Sequence, residues 1–347
     1  MRKLASIKTI SNLEPIQGAD MIELATVGGW KVVVAKNVQH QIGNKVVYCE
    51  IDSFLPIEPE FEFLRKSSYK KLIDGTEGFR LRTVKLRGQI SQGLILPLQD
   101  AIDVMKRRNG EVYFEMLEEG TDVSELLGIT KYEPPVPANL GGTVKGQFPG
   151  FIEKTDEERI QNLTNEYEQW RIQSKHQFYI TEKLDGSSAT FYIKDGEFGV
   201  CSRNLELAEN ADNSFWKVAR ELDLETKMKS LRINVSFQGE LIGEGIQGNP
   251  YKIKGQTVRF FNIFDIDNYC KVPRSNFLST LNDLGLESVP YLEEEFQLPD
   301  TVEELLKLAE GKSQLNSNTE REGLVIRSMD NTISFKVISN KFLLKNE

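Results

Sequence analysis

Residues 176–194, HQFYITEKLDGSSATFYIK, read as a strand, a tight polar turn and a second strand. The first run is rich in aromatic and β-branched residues and ends at Lys183, Asp185-Gly186 supplies the turn, and SSATFYIK resumes the extended pattern. A lysine at a strand end is aimed by a rigid sheet, as a reacting amine must be. Alone, Lys-x-Asp-Gly says little: about one chain in ten of this length holds it by chance, and its plain reading is a strand before an Asp-Gly turn. Its neighbours decide the matter.

Downstream, a series of strands each ends on one polar or aromatic side chain. Arg203 follows EFGVCS, Glu240 lies in FQGELIG, Phe264 in FFNIFDI, Glu322 opens EGLVI and Lys336 closes SFK. Helical stretches near 213–229 and 301–310 interrupt these strands, so this half reads as α+β with mainly antiparallel pairing. Upstream, Thr155-Asp-Glu-Glu158 forms a capping box, with Ile160, Leu163, Tyr167 and Trp170 at helical spacing, which predicts a helix through about Gln173.

Residues 131–150, KYEPPVPANLGGTVKGQFPG, are too dense in proline and glycine for helix interior or central strand and read as a connector. They divide the chain into 1–130, 131–150 and 151–347. The first 100 residues hold short extended segments about ten residues apart, such as DMIELATVGGW, KVVVAKN and NKVVYCEID, the pattern of a small β-barrel. FLPIEPEFEFL is an irregular or helical excursion within it. Between Arg65 and Arg87 eight basic residues face only Asp74 and Glu77. Arg80 and Arg82 alternate with Phe79 and Leu81, a phase that breaks near Thr83, so the strand ends or bulges there. Such a run is commonly a solvated edge that discourages aggregation; the alternative is a phosphate-binding patch.

The 347 residues are 39% hydrophobic and 27% charged, with a net charge of −9, which excludes a blanket polycation and confines nucleic-acid binding to a local patch. No apolar run is long enough for a membrane span, and MRKLASIKTI has no signal-peptide core, so a cytoplasmic monomer without membrane association is the expectation. Cys49, Cys201 and Cys270 lie far apart, and His40 and His176 are the two histidines, leaving neither a disulfide framework nor a sequence-evident zinc site. Lysine and carboxylates are the reactive groups that remain.

The order and spacing of Lys183-x-Asp185-Gly186, Arg203, Glu240, Phe264, Glu322 and Lys336 resemble motifs I, Ia, III, IIIa, IV and V of the covalent nucleotidyltransferases: ATP-dependent DNA ligases, RNA ligases and messenger-RNA capping enzymes. Only eleven residues follow Lys336, so an OB domain after motif V is not expected. IQGADMIELATVGGWKVVVAKN, with FPGFIEKTDEERIQN ahead of motif I, instead looks like the Deinococcus-type RNA ligases. That resemblance spans nearly the whole chain and implies an N-terminal OB-like barrel followed by an antiparallel-sheet-rich, ATP-grasp-like ligase domain.

The resemblance further implies ATP-dependent joining of a 3′-OH RNA end to a 5′-phosphate, notably at nicks in duplexes, through AMP held covalently on Lys183. ATP and magnesium or manganese are the implied cofactors and RNA ends the partner. Glu322 is implied on the metal, Arg203 and Glu240 on the ribose, Phe264 stacked on adenine, Glu182 at the adenine edge, and Lys336 on the α-phosphate. The family's second motif V lysine is replaced here by Ile338, which leaves Lys341 as its substitute. Arg80, Arg82, Lys85, Arg87, Lys154, Arg159 and Gln161 are candidate nucleic-acid contacts, the last three from a pre-motif-I signature or else as exposed helix residues. DNA ligase, capping guanylyltransferase and a catalytically inert RNA-binding protein are the competing readings. The amine chemistry itself demands a neutral lysine, although a free one titrates near pH 10.4, so nearby cations must depress it.

Overall fold

The computed structural model describes residues 3–72, 74–110, 117–132, 144–172 and 177–346. His176 and residues 133–143 of the expected connector lie outside the described residues. The chain forms two compact units: Met1–Pro135 with Ile160–Asn165 and Leu343–Glu347, and Val136–Arg159 with Glu166–Phe342.

In the first unit a five-stranded antiparallel sheet runs in the order Leu94–Pro97, Lys45–Cys49, Ala5–Pro15, Ile22–Val27, Trp30–Ala35. The long strand Ala5–Pro15 pairs with Lys45–Cys49 through its first half and with Ile22–Val27 through its second. The register slips between Ile10 and Asn12, the kind of irregularity that lets one strand serve two faces of a barrel. A four-stranded sheet, Thr130–Lys131, Ser53–Pro56, Glu77–Arg80, Tyr69–Lys71, and the hairpin Thr83–Leu86/Gln89–Gln92 complete the β-structure. The core joins Ile7, Val47, Leu55, Phe61 and Phe79 to one face of a helix, Leu98–Asn109, that the sequence reading did not anticipate. Ala101, Ile102, Val104 and Met105 bury that face, while Asp100 near its start and Lys106–Arg108 at its end suit the helix dipole.

Residues 160–165 lie far along the chain yet pack on this unit. Gly29 N–H donates to Gln161 O at 3.0 Å, and a Cβ at Gly29 would sit 2.7 Å from Gln161 Cα, so only glycine fits there. Trp30 Nε1 donates to Asn162 Oδ1 at 2.7 Å.

The second unit holds two sheets. One is seven-stranded, in the order Val144–Gln147, Leu205–Leu207, Glu197–Cys201, Ser187–Lys194, Val235–Gly243, Gln256–Asp265, Cys270–Lys271; the other orders Tyr291–Phe296, Phe178–Lys183, Gly323–Ser328, Ser334–Ile338. Phe191, Phe237 and Phe260 cover one face of the larger sheet against Trp216, Met228 and Phe277 from helices Ser214–Glu221, Leu224–Ser230 and Arg274–Asp283. Full burial of each such aromatic stabilises by about 1.5–3 kcal/mol, which commits this face to the core. Ser188, Thr190, Gln238 and Glu240 alternate onto the opposite face.

The helix expected from Thr155 begins only at Thr164 and ends at Ile172. Residues 153–158 run without regular structure beside the edge strand Ser334–Ile338: Lys336 N–H donates to Glu158 O at 2.8 Å, and Arg159 bridges Lys336 in parallel. An edge strand's unpaired N–H groups need acceptors, and that long-range pairing overrides the local capping signal.

Candidate active site

Phe178–Lys183 is an interior strand, paired to Tyr291–Phe296 on one side and to Gly323–Ser328 on the other, so its end is fixed from both directions. The registers Lys183↔Gly323↔Ile338 and Thr181↔Val325↔Lys336 place Lys183, Val325 and Lys336 on one face. Gly323 lets the strands close beside Lys183: a Cβ there would lie 2.2 Å from Val337 O. Gly186 has the same constraint, its Cβ falling 2.4 Å from Leu241 O, next to Glu240. Asp185 N–H donates to Tyr251 Oη at 2.6 Å, which pins the turn after Lys183.

Lys183 Nζ pairs with Glu322 Oε1 at 2.7 Å. Burial works against the Lys183 charge, but Glu322 and Glu240, with Asp185, more than offset it, and the ammonium is held above the ordinary lysine range. Burial pushes Glu240 up to about 8, with Lys183 opposing the shift and Glu322 and Asp185 adding to it. Burial and Glu322 push Asp185 to about 6. One ammonium thus faces three carboxyl groups, with Arg203 as a further, weaker positive charge near Glu240. This set fits a divalent cation, with Glu322 beside the reactive amine as the residue to hold it. Among the described residues no group of three or more His, Cys, Asp or Glu side chains is poised as a metal cage; magnesium in general keeps most of its waters and binds through one or two carboxylates plus phosphates.

Strand alternation turns Glu182 to the face away from Lys183. Its Oε2 accepts from Gln314 N–H at 2.8 Å, and burial pushes this carboxyl up, with hydrogen bonds from Ser313 and Gln314 opposing the shift. Arg203 is exposed, ion-paired with Asp156, and close enough to Glu240 to favour that carboxylate's charged form. Lys336 is partly buried at its register position.

Phe264 requires a correction. It shares Glu240's face but lies opposite Ser236, 1% exposed under Phe148, Phe151 and Ile152 and edge-on to Tyr269, where no base can stack on it. Phe261 is the partly exposed aromatic, packed with Leu184, Ile242 and Tyr251. The register slip between Gln238↔Asn262 and Gly239↔Phe260 makes Phe261 the extra residue of a bulge. The spelling RFFNIF offers both rings, but the bulge that selects between them depends on pairing with a distant strand. Tyr251, in the loop IQGNPYK, left no periodic signal to find it by.

Lys341 also moves. The strand stops at Ile338 and the helix Asn340–Asn346 follows, which carries Lys341 to an ion pair with Glu310 at 2.8 Å. Arg159 and Gln161 are buried, 5% and 1% exposed, rather than exposed helix residues, and Lys154 hydrogen-bonds Asn204 Oδ1 at 3.1 Å. Arg80 is absorbed by the barrel unit, 4.3 Å from the Tyr132 ring centroid and 3.9 Å from Asp52. Arg82 reaches Ser67 O at 3.4 Å, while Lys85 and Arg87 are exposed on the hairpin Thr83–Leu86/Gln89–Gln92.

A family model for RNA ligase matches residues 176–345, and one for an OB-fold domain matches residues 4–98. No curated protein matches. Among solved structures, Naegleria gruberi RNA ligase with PPi is similar at 42% identity and a TM-score of 0.90, over 99% of this chain and 99% of that chain. The same identity, coverage and TM-score hold for a variant of that ligase with AMP and Mn and for another with ATP and Mn.

Proposed function

The chain belongs to the RNA ligase family, and from that premise we propose that it seals RNA ends, using ATP to join a 3′-OH to a 5′-phosphate at nicks in RNA-containing duplexes, as an RNA-repair enzyme. The observation that carries the reading is the Lys183–Glu322 pair, with Glu240 and Asp185 beside the amine and Lys336 on the same sheet face.

The Lys183 amine attacks the α-phosphorus of ATP; a P–N bond forms, the bond to pyrophosphate breaks, and the amine proton leaves. AMP then passes to the oxygen of a 5′-phosphate, freeing Lys183, and the 3′-OH attacks that phosphate and releases AMP. Since the carboxylates hold Lys183 protonated, the amine becomes nucleophilic only when their charge is answered by another cation. A divalent ion bound at Glu322 supplies that charge and neutralises the phosphates. Lys336 stabilises charge developing on the α-phosphate. Glu240 and Arg203 face the ribose, and the base lies against Phe261 and Val325. The Glu182 carboxyl accepts from the adenine amino group, a preference that guanine, with a carbonyl in that place, does not satisfy. Lys85 and Arg87 hold the duplex backbone. No helix among the described residues is long and apolar enough to cross a membrane, and a cytoplasmic monomer fits this role.

The test is incubation with magnesium and α-labelled ATP or GTP, beside Lys183→Ala, followed by denaturation. Label retained from ATP and lost in the variant is expected, then sealing of a nick with a ribonucleotide 3′-OH in preference to a deoxyribonucleotide. Label from GTP alone would sink the ATP assignment, and equal sealing of both 3′ ends would make the protein a general polynucleotide ligase.

A further inference from the structure

The bulge at Phe261 interrupts the ladder between Val235–Gly243 and Gln256–Asp265. Phe261 O there accepts from Arg327 Nη1 at 2.8 Å, and Arg327 belongs to the other sheet, on the strand Gly323–Ser328. Its guanidinium is almost wholly buried, at 7% exposure. Nε donates to Ser334 Oγ at 3.2 Å and Nη2 to Glu157 Oε1 at 2.9 Å. The guanidinium carbon stands 5.8 Å from the Phe261 ring centroid. Burial alone would push the Glu157 carboxyl up, yet Arg327 holds it below the ordinary carboxylate range.

Burying an ion pair is costly, and well-packed apolar residues often serve stability as well or better. A planar fork with donors at fixed angles does what they cannot: it holds three elements in one relative geometry. Here those elements are the bulge of one sheet, the neighbouring strand of the other and the segment 153–158.

We propose that Arg327, neutralised by Glu157, is a positioning residue that fixes the Phe261 ring as the wall for the purine base, so the pair sets how much the base contributes to the first step. The inference rests on the reading above that ATP reacts with Lys183 with its base at Phe261. It separates base recognition from the phosphate chemistry at Lys183, in which neither Arg327 nor Glu157 takes part.

The experiment measures kcat and KM for Lys183 adenylylation with α-labelled ATP and for the matching transfer from α-labelled ribose 5′-triphosphate, which lacks the base, in wild type, Phe261→Ala, Arg327→Lys, Glu157→Gln and Phe261→Ala/Arg327→Lys. Stacking against one aromatic is worth about tenfold. The ratio of kcat/KM for ATP to that for the base-less triphosphate should fall about tenfold in Phe261→Ala and severalfold in Arg327→Lys and Glu157→Gln. The double variant should fall little below Phe261→Ala, because both changes remove one wall. If Arg327→Lys does not fold, Glu157→Gln, which keeps the shape and removes the neutralising charge, carries the test. A ratio lowered in Phe261→Ala alone, or rates that fall equally for both triphosphates in Arg327→Lys and Glu157→Gln, overturns the positioning role. A ratio unmoved by Phe261→Ala overturns the placement of the base on which it rests.

Discussion

Lys183 and Lys85 both sit on short β-segments, and they hold opposite positions in their folds. The Lys183 strand is paired on both sides and ends among carboxylates drawn from positions as distant as Glu322. The strand carrying Lys85 pairs with one neighbour, and residues 84–88 are exposed in succession, Val84 and Leu86 among them. A cation enclosed by opposite charge is a site for bond chemistry, since the low dielectric strengthens every interaction there. A cation on a projecting hairpin acts through its field on a polyanion and is screened by salt. Arg80 warns against sorting by sequence proximity: it belongs to the same basic run as Lys85, but Asp52 and Tyr132 hold it inside the barrel unit.

The sharpest way to break this contrast is Gly186→Ala. The added methyl meets Leu241 O at 2.4 Å and Glu240 Cγ at 2.8 Å, so the turn must shift and take Lys183 with it. A displacement near 1 Å lowers a positioned reaction by about 100-fold. Single-turnover labelling with ATP should show that loss in adenylylation, while joining at an already adenylylated 5′ end declines less. Normal labelling would mean that the turn does not set the lysine's aim.

Charge reversal on the hairpin, Lys85→Glu with Arg87→Glu, should do the converse. Lys183 labelling stays at the wild-type level, sealing falls about tenfold at moderate salt, and the slope of log affinity against log salt drops by about 2. A fall in labelling would show that the hairpin bears on the first step, and an unchanged slope would free it from any phosphate contact.

The same contrast explains what was legible beforehand. Lys183 closes its strand and Glu322 directly precedes one, while Glu240 and Lys336 lie inside strands, all in stretches whose extended pattern is clear, so their order was readable along the chain. Phe261, Arg159 and Lys341 were not readable, because a bulge, an edge-strand partner and a strand-to-helix change decide where they lie. Each depends on pairing between distant segments, whereas spacing along the chain reports only local period. The helix Leu98–Asn109 escaped because its buried residues are interleaved with charges.

Arg80→Met sharpens the comparison within the barrel unit. Loss of the contact with Tyr132 and of the weak pair with Asp52 should lower stability by about 1–2 kcal/mol, measured by urea denaturation. The salt slope should stay as in wild type, since a partly buried side chain turned toward Tyr132 does not meet phosphate. A slope reduced by about 1 would return Arg80 to the nucleic-acid surface.

Lys341→Ala should do least. Lys341 and Lys336 are five residues apart, yet Lys336 lies on the Lys183 face, whereas Lys341 is exposed and paired with Glu310, just past the helix Val302–Ala309 that packs against the strand Ser334–Ile338. An exposed ion pair adds little to stability and is weakened by salt. Labelling and sealing by Lys341→Ala should therefore stay within about twofold of wild type, the range of an ordinary surface change, where Lys336→Ala loses about 100-fold or more in labelling. If the two variants were impaired alike, the helix Asn340–Asn346 would have to unwind when ATP binds and swing Lys341 away from Glu310. Replacing Glu310 with glutamine should then raise the labelling rate, because the tether released would be the one that opposes that movement.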